Sequence, residues 1–331
     1  MNGRYTSQRR RRGCAPPQRQ RGIALLVAIL LVAIGTLLAA TVAYESAMSA
    51  RRGTATYAFD QAVLIGEGAE ALAAYGMKQI RASDPTHTYP GQGWDKPVGP
   101  MEVVPGVMLE ASLEDLQGRF NLNNLVQKDG TPDPVMVNAF TQLLTLLGLE
   151  PKWTGFLVDW IDADIVPQNP EGAEDSVYMG QTPPYRTANR YITSASELLA
   201  LPGFGRDRYL KLAPYVVALP QGTTLNICSA QGVVLDSFMG QGHTEFGADP
   251  DGLTKNRTQA SGCFPTLANF QAAFDPKLWI GNTPRKFSQV SNYFRLTSFI
   301  TIGSAEFNLY SLLYQDTTGS VRPIQRSFTP D

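Results

Sequence analysis

Histidine and cysteine are scarce in this chain, with 2 His and 3 Cys in 331 residues. Sites that need several imidazole or thiolate ligands, such as zinc and copper centres, are short of donors here. Both histidines, His87 and His243, fall in Gly- or Pro-rich stretches and in no catalytic motif. A GxSxG elbow, an HExxH pair, a P-loop and a GxGxxG run after a strand are all missing, so catalysis is not expected. Asp236, Ser237 and His243 make a set of triad residue types, but chance supplies such sets freely. Acidic residues are absent from the first 22 positions, which carry Arg4, Arg9, Arg10, Arg11, Arg12, Arg19 and Arg21. Those seven arginines mask an acidic remainder, because without them 21 of the 28 basic residues face 29 acidic ones, a balance near −8. No basic face is left for a nucleic acid.

Long apolar runs are also lacking, with one exception. Residues 23–43 carry no formal charge across 21 positions. As a helix they extend roughly 30 Å, enough to cross a bilayer core. The arginines in front keep the leader in the cytoplasm, and everything after residue 43 is exported. Two processing routes compete at this junction. Ala39, Ala40 and Thr41 resemble a signal-peptide cleavage site, which would remove the apolar run. The alternative is cleavage after Gly22, which leaves the run on the mature chain. A basic leader, a Gly and then an uninterrupted apolar helix resemble the start of type IV pilins and type II secretion pseudopilins. The resemblance implies that a prepilin peptidase cuts between Gly22 and Ile23 and that Ile23 is methylated as mature residue one. Most members of that family have Glu at mature position five, and here Val27 stands there. A carboxylate in a membrane is kept only for a partner. Its absence matches the K minor pseudopilin, the subunit with nothing above it in the filament. The bland rival is an exported, membrane-anchored enzyme or binding module, and a related rival is a minor pilin of a type IV pilus.

The remaining chain reads as α+β. Residues 44–81 contain no Pro and carry Met48, Phe59, Val63 and Leu72 at helix-like intervals, so one long helix is expected to run from the membrane onto a folded domain. Ser83, Asp84 and Pro85 stop it. Strand material follows from 98 to 116 around a turn at Pro105 and Gly106. The Gly118, Asn121, Leu122 and Asn123 pattern that comes next resembles a "GxxNLN" run of the K family. Short helices are expected at 135–147, 153–161, 194–201 and 206–213, with Ser194 and Glu197 forming a capping box. The K family resemblance implies that this all-helical stretch, 120–219, is an inserted SAM-like domain within a pilin-type antiparallel sheet built from 44–119 and 220–331. Leu201, Pro202, Gly203, Phe204 and Gly205 also resemble a helix-hairpin-helix turn, but the mixed charge around them favours a plain interhelical turn. Residues 224–227 read as a short strand, 238–262 as a surface loop and 267–274 as a helix. Strands are expected at 293–302, 306–313 and 321–328. With Cys14 lost in the leader, Cys228 and Cys263 form an even pair in an oxidising compartment, read as one disulfide over two free buried thiols.

The densest polar constellation is Asp159, Asp162, Asp164, Glu171, Glu174 and Asp175, six carboxylates within 17 residues, interrupted by Pro167, Pro170 and Gly172. Carboxylates this close repel unless neutralised, and a hard cation with six to eight oxygen ligands does so. The spacing is not that of an EF-hand, since Pro167 and Ala173 stand where its Gly and bidentate Glu belong. An acidic loop is often merely solvated. The "DWIDxDxxP…GAEDxxY" run, however, resembles the most specific signature of the K family, whose fold holds structural calcium in this region. The resemblance implies Ca²⁺ ligands at Asp164, Glu174, Asp175 and Asp162, with Asp159 capping or orienting a helix. Arg186 or Arg190 is expected to pair back to carboxylates left over from the metal, with a contact to another subunit as the alternative. The family further implies a place at the tip of the pseudopilus, in partnership with minor pseudopilins I and J, through them with H and the major pseudopilin G, and with prepilin peptidase and the inner membrane.

Overall fold

The computed structural model describes residues 21–239, 244–259, 262–263 and 286–329. They fall into two compact units divided between Phe59 and Asp60. Helix α1, Arg21–Ser83, supplies all the described residues of the first unit and enters the second. Across 23–43 its Leu, Ile and Val side chains all face outward. Thr36 and Thr41 donate their hydroxyls back to the carbonyls of Ala33 and Leu38, each at 2.9 Å. Polar groups satisfied inside the helix suit a lipid surround. It is long and apolar enough to cross a membrane.

In the second unit, the chain after α1 forms β1 (Val98–Val104), β2 (Val107–Asp115) and the two-residue β3 (Phe120–Asn121). Helices α2 (Pro134–Leu146), α3 (Trp153–Ile161), α4 (Asp175–Tyr178) and α5 (Gly205–Leu212) follow. Then come β4 (Val216–Val217), β5 (Leu225–Asn226), α6 (Gly232–Asp236), α7 (Glu245–Ala248) and α8 (Pro250–Gln259). The chain closes through β6 (Phe287–Ser288), β7 (Tyr293–Ile302), β8 (Ala305–Gln315) and β9 (Val321–Ser327). The main sheet is β1-β2-β7-β8-β9, antiparallel at every pairing. Alternation decides its faces: Phe294, Leu296 and Ile300 of β7 and Leu309 and Leu313 of β8 point to one side and are buried. Phe294, Leu296, Ile300 and Leu313, with Val107 and Leu109, pack with Ala62, Ala69 and Met77 of α1. Gly66 makes the approach close, because a Cβ there would lie 2.4 Å from the Leu309 side chain. Beside it the buried Glu70 accepts from Ser311 at 2.6 Å and from Nε and one terminal nitrogen of Arg326 at 2.8 and 2.7 Å. Burial pushes the Glu70 carboxyl up, but these donors together hold it below its usual range.

Most of the described residues between β2 and β7 build a second, helical lobe around its own core. Phe120, Phe140, Trp153, Leu157 and Phe204 share that core with Ile227, Leu235, Phe246 and Phe287. The boundary expected at residue 220 therefore falls inside one core, and the lobe continues to Phe287. The strand expected at 224–227 is β5, but it pairs in parallel with β6 rather than joining the main sheet. Most of the expected surface loop at 238–262 that is described is helical, as α7 and α8. Buried Phe246 and Leu253, two apolar residues in a polar run, draw it onto the core. The stretch after Ser194 is a 3-10 helix, Ala195–Ala200, and Glu197 accepts from the Thr193 amide at 2.7 Å, one residue earlier than a capping box requires. The helix expected at 267–274 lies outside the described residues, as do residues 1–20 and His243.

Polar side chains fasten the lobe internally and to the sheet. Asn123 donates to the carbonyls of Ile192 and Leu219, each at 2.9 Å, and accepts the Ile192 amide at 2.9 Å. Asn121 accepts the Leu219 amide at 3.0 Å, and Asn124 accepts the Gly222 amide at 2.8 Å. The Asn-rich run is thus a buried fastening of the lobe rather than only a turn. At the seam with the sheet, buried Asp115 accepts from the Gln117 amide, the hydroxyls of Ser229 and Ser291, and the Asn226 amide group. Cys228 and Cys263 lie in the lobe with Cα atoms 4.6 Å apart and sulfurs at bonding distance.

Candidate metal centre

The acidic stretch leaves the C-terminal end of α3. That helix buries Trp153, Leu157, Val158, Trp160 and Ile161, and Asp159 sits among them with 0% exposure. Asp162 turns to extended backbone and ends the helix. The chain then loops outward and returns at Ala173. Asp159 holds both limbs of that loop, accepting from the Gln168 amide at 3.0 and 3.2 Å and from the Ala173 amide at 2.6 Å. The return passes so close that a Cβ at Gly172 would lie 2.3 Å from Asp159 Oδ2.

Asp159, Asp162 and Glu174 converge, each offering a carboxylate oxygen within 4.8 Å of the others. Asp162 and Glu174 are 1% and 4% exposed. Both Asp162 oxygens and Oε1 of Glu174 have no hydrogen-bond partner, and neither do the Tyr178 hydroxyl and Oδ1 of Asn189. Burial pushes the carboxyl of Asp159 up to about 6, against its two amide donors, with the charge of Asp164 adding to the rise. Asp162 is pushed up to about 7 by burial and then by the charges of Asp164 and Asp159. Burial, then Asp159 and Asp162, push Glu174 up to about 7. Buried carboxylates without counter-charge are strongly disfavoured. Three converging hard oxygen donors, with no imidazole or thiolate, fit Ca²⁺ or a similar hard cation.

The residues expected from the sequence divide here. Asp162 and Glu174 are in the cluster. Asp164 is exposed and accepts the Val166 amide at 2.7 Å in a local turn, while its carbonyl accepts from Asn189 at 3.2 Å. Asp175 is engaged elsewhere, accepting the amide and hydroxyl of Thr187 at 3.1 and 3.0 Å and standing 3.7 Å from Arg186. Asp159, expected to orient a helix, organises the loop and also takes the third place in the cluster. Its position in the sequence carried a signal, since a carboxylate flanked by Val158 and Trp160 within an apolar helix must be buried with a purpose. Arg190 is exposed.

Comparison with known proteins follows this architecture. The family model for protein K of the type II secretion system matches residues 118–221, the first part of the helical lobe. Type II secretion system protein K of Pseudomonas aeruginosa is 32% identical over 93% of this chain and 92% of its own length. The Klebsiella pneumoniae protein of the same name is 37% identical over 62% of this chain and 64% of its own length. A chain from the crystal structure of the GspK–GspI–GspJ complex from enterotoxigenic Escherichia coli has the same fold, with a TM-score of 0.70 at 24% identity, covering 85% of this chain and 100% of that one. On the strength of its sequence, its fold and the lobe inserted between β2 and β7, the chain belongs to the type II secretion system protein K family, the minor pseudopilins of that system.

Proposed function

We propose that this minor pseudopilin stands at the tip of the pseudopilus, where it starts and caps the filament together with minor pseudopilins I and J and, through them, H and the major pseudopilin G. The observation that carries this reading is the helical lobe. It interrupts the sheet between β2 and β7 with a core of its own, and such a bulk leaves no room for a further subunit stacked above. Val27 in place of the usual membrane carboxylate supports the same placement, since a tip subunit has no overlying amine to neutralise. In this reading the role is structural rather than enzymatic.

Prepilin peptidase cuts between Gly22 and Ile23, Ile23 is then methylated, α1 anchors the chain in the inner membrane, and the second unit lies in the periplasm. There Cys228 and Cys263 remain oxidised. Asp159, Asp162 and Glu174 hold a structural Ca²⁺, with Asp164 and Asp175 as outer members of the acidic loop. The ion, when bound, supplies the positive charge that three buried carboxylates otherwise lack. The chain's own part is to hold the loop limbs through Asp159, with the Thr187 hydroxyl, which lies 3.0 Å from Asp175 and 3.4 Å from Oε2 of Glu174, shared between the two carboxylates.

Intact mass of the membrane-extracted protein, from hosts with and without prepilin peptidase, tests the processing. A peptidase-dependent start at Ile23 plus one methyl group supports it, and a start at Met1 in both hosts, or a cut after residue 40 or 41, refutes it. Tip placement is tested by replacing the whole lobe between β2 and β7 with a short linker. The shortened protein should enter the filament body, and continued exclusion would sink the steric argument. Removing only 134–219 would break the shared core and is not an adequate test.

A further inference from the structure

Within the second unit, an open groove of about 270 Å³ runs between one flank of α1 and the β1–β2 edge of the sheet. Small residues make the room, because Ala69, Ala73 and Gly76 of α1 and Ala111 of β2 all line it. Protein interiors pack as densely as organic crystals, so an opening of this size between helix and sheet is a binding site rather than a packed core. The large apolar residues at its mouth stay in solvent, with Leu72 55%, Tyr75 66% and Val98 41% exposed. Trp94 is a fixed wall, its ring edge-on to Phe294 at 5.7 Å and its Nε1 donating to Gln92 at 3.3 Å. Among the described residues, Lys96 is the one charged side chain that lines the groove. The neighbouring Asp95 turns instead to the Gly91 amide, which it accepts at 2.9 Å. Size limits the occupant. One turn of helix, about 10 Å across and 5.4 Å long, needs roughly 400 Å³ and does not fit. A single hydrocarbon chain does, with space for about nine carbons at roughly 30 Å³ for each group the size of a water molecule.

We propose that this groove binds a fatty acid, with the chain lying between α1 and the β1–β2 edge and the carboxylate paired with Lys96. Charge decides the polarity of the ligand: no acidic side chain lines the groove among the described residues, so an anionic head meets only the lysine. A lysine stem lies along apolar surface while its ammonium stays in water, which leaves the head group solvated at the rim. A lipid with two chains would need twice the volume. Gly76 supplies a way to fill the groove without disturbing the fold, since a Cβ added there meets nothing within 4 Å. Gly68 on the same helix is equally open but does not line the groove, which makes it the matched control.

The test uses the full chain transferred from detergent to amphipol and titrated with linear fatty acids of increasing length, brominated at the far end to quench Trp94. Quenching should saturate, and affinity should rise about fourfold for each added methylene, the worth of burying one, then level off near nine carbons. Trp94→Phe should lose the quenching but keep the rise in melting temperature that the acid produces. Gly76→Leu should stay folded, with an unchanged or higher melting temperature, and lose binding, whereas Gly68→Leu should bind as the wild type does. Lys96→Gln should weaken the acid by roughly two- to fivefold, the range of an exposed ion pair, and leave the matching alcohol unaffected. Quenching that never saturates, or that climbs with length without levelling, reports partition into the amphipol and overturns the proposal. Gly76→Leu titrating like the wild type overturns it too, and equal affinity for acid and alcohol in the wild type overturns the anionic head. If no acid binds while Gly76→Leu loses a partner subunit, the groove takes a protein side chain and the fatty acid is refuted.

Discussion

Withdrawing the cation should make stability fall as pH rises, over a window set by the buried carboxylates. In the cation-free protein Asp162 is pushed from 3.8 to about 7. At about 1.36 kcal/mol per pKa unit, ionising it in the folded cage costs on the order of 4 kcal/mol relative to the unfolded chain. Asp159 and Glu174, pushed up to about 6 and about 7, act in the same direction. The sign follows from proton binding: between about pH 4 and 7 the folded state keeps protons the unfolded state has lost, so stability present at low pH is lost as pH rises through the folded values. Glu70, whose pKa is lowered, loses its contribution only as pH falls below its ordinary 4.5, outside this window. Calcium should reverse the trend, because it binds the ionised cage. At a free concentration a hundredfold above Kd it contributes about 2.7 kcal/mol, and a larger share is available at pH 8 than at pH 5. Thermal unfolding of the detergent-solubilised chain, in EGTA and in millimolar calcium across pH 5 to 8, measures both arms. In EGTA the melting temperature should drop by several degrees toward pH 8, and the gap between the two conditions should widen with pH. A calcium effect of equal size at pH 5 and 8, or an EGTA protein more stable at pH 8, would refute the reasoning.

Other substitutions probe the fold that carries this centre. Arg326→Ala removes the fork that neutralises buried Glu70 and should destabilise by about 2–3 kcal/mol, at or below the low end for a broken buried pair because Arg326 is itself 40% exposed. Denaturant unfolding checks this, and Glu70→Gln in the same background should recover part of the loss. Gly66→Leu, which drives a side chain into Leu309, should cost roughly 1–3 kcal/mol through overpacking, whereas the same change at Gly68, where nothing lies within 4 Å, should be near neutral or slightly stabilising in a melting assay. Asp115→Ala strips the acceptor from four donors at the seam between lobe and sheet. It should lower stability by roughly 3 kcal/mol or more and raise amide hydrogen exchange at 226–229 and 289–292 ahead of the main sheet, and uniform exchange would argue against a local seam.

The elements legible in the sequence were those whose pattern is local. The apolar run at 23–43 is long and apolar enough by composition to cross a membrane, and strict alternation in β7 and β8 fixes which side chains face α1. Helices α2, α3 and α5 emerged within a residue of their expected starts because caps and apolar spacing act over a turn or two. Long-range pairing was not written locally. The sequence could not say that β5 would find β6, 62 positions on, nor that polar residues 244–259 would be held by Phe246 and Leu253 against a distant core. For the same reason it supplied the acidic loop and a hard-cation chemistry but not the ligand set. Apart from Asp159, set between Val158 and Trp160, the carboxylates are equivalent along the chain. Burial at the end of α3 and the return of the loop at Ala173 then brought Asp159, Asp162 and Glu174 together and left Asp164 and Asp175 outside. Which oxygens lose their water is a property of three-dimensional packing, and that alone separates a candidate ligand from a solvated neighbour two residues away.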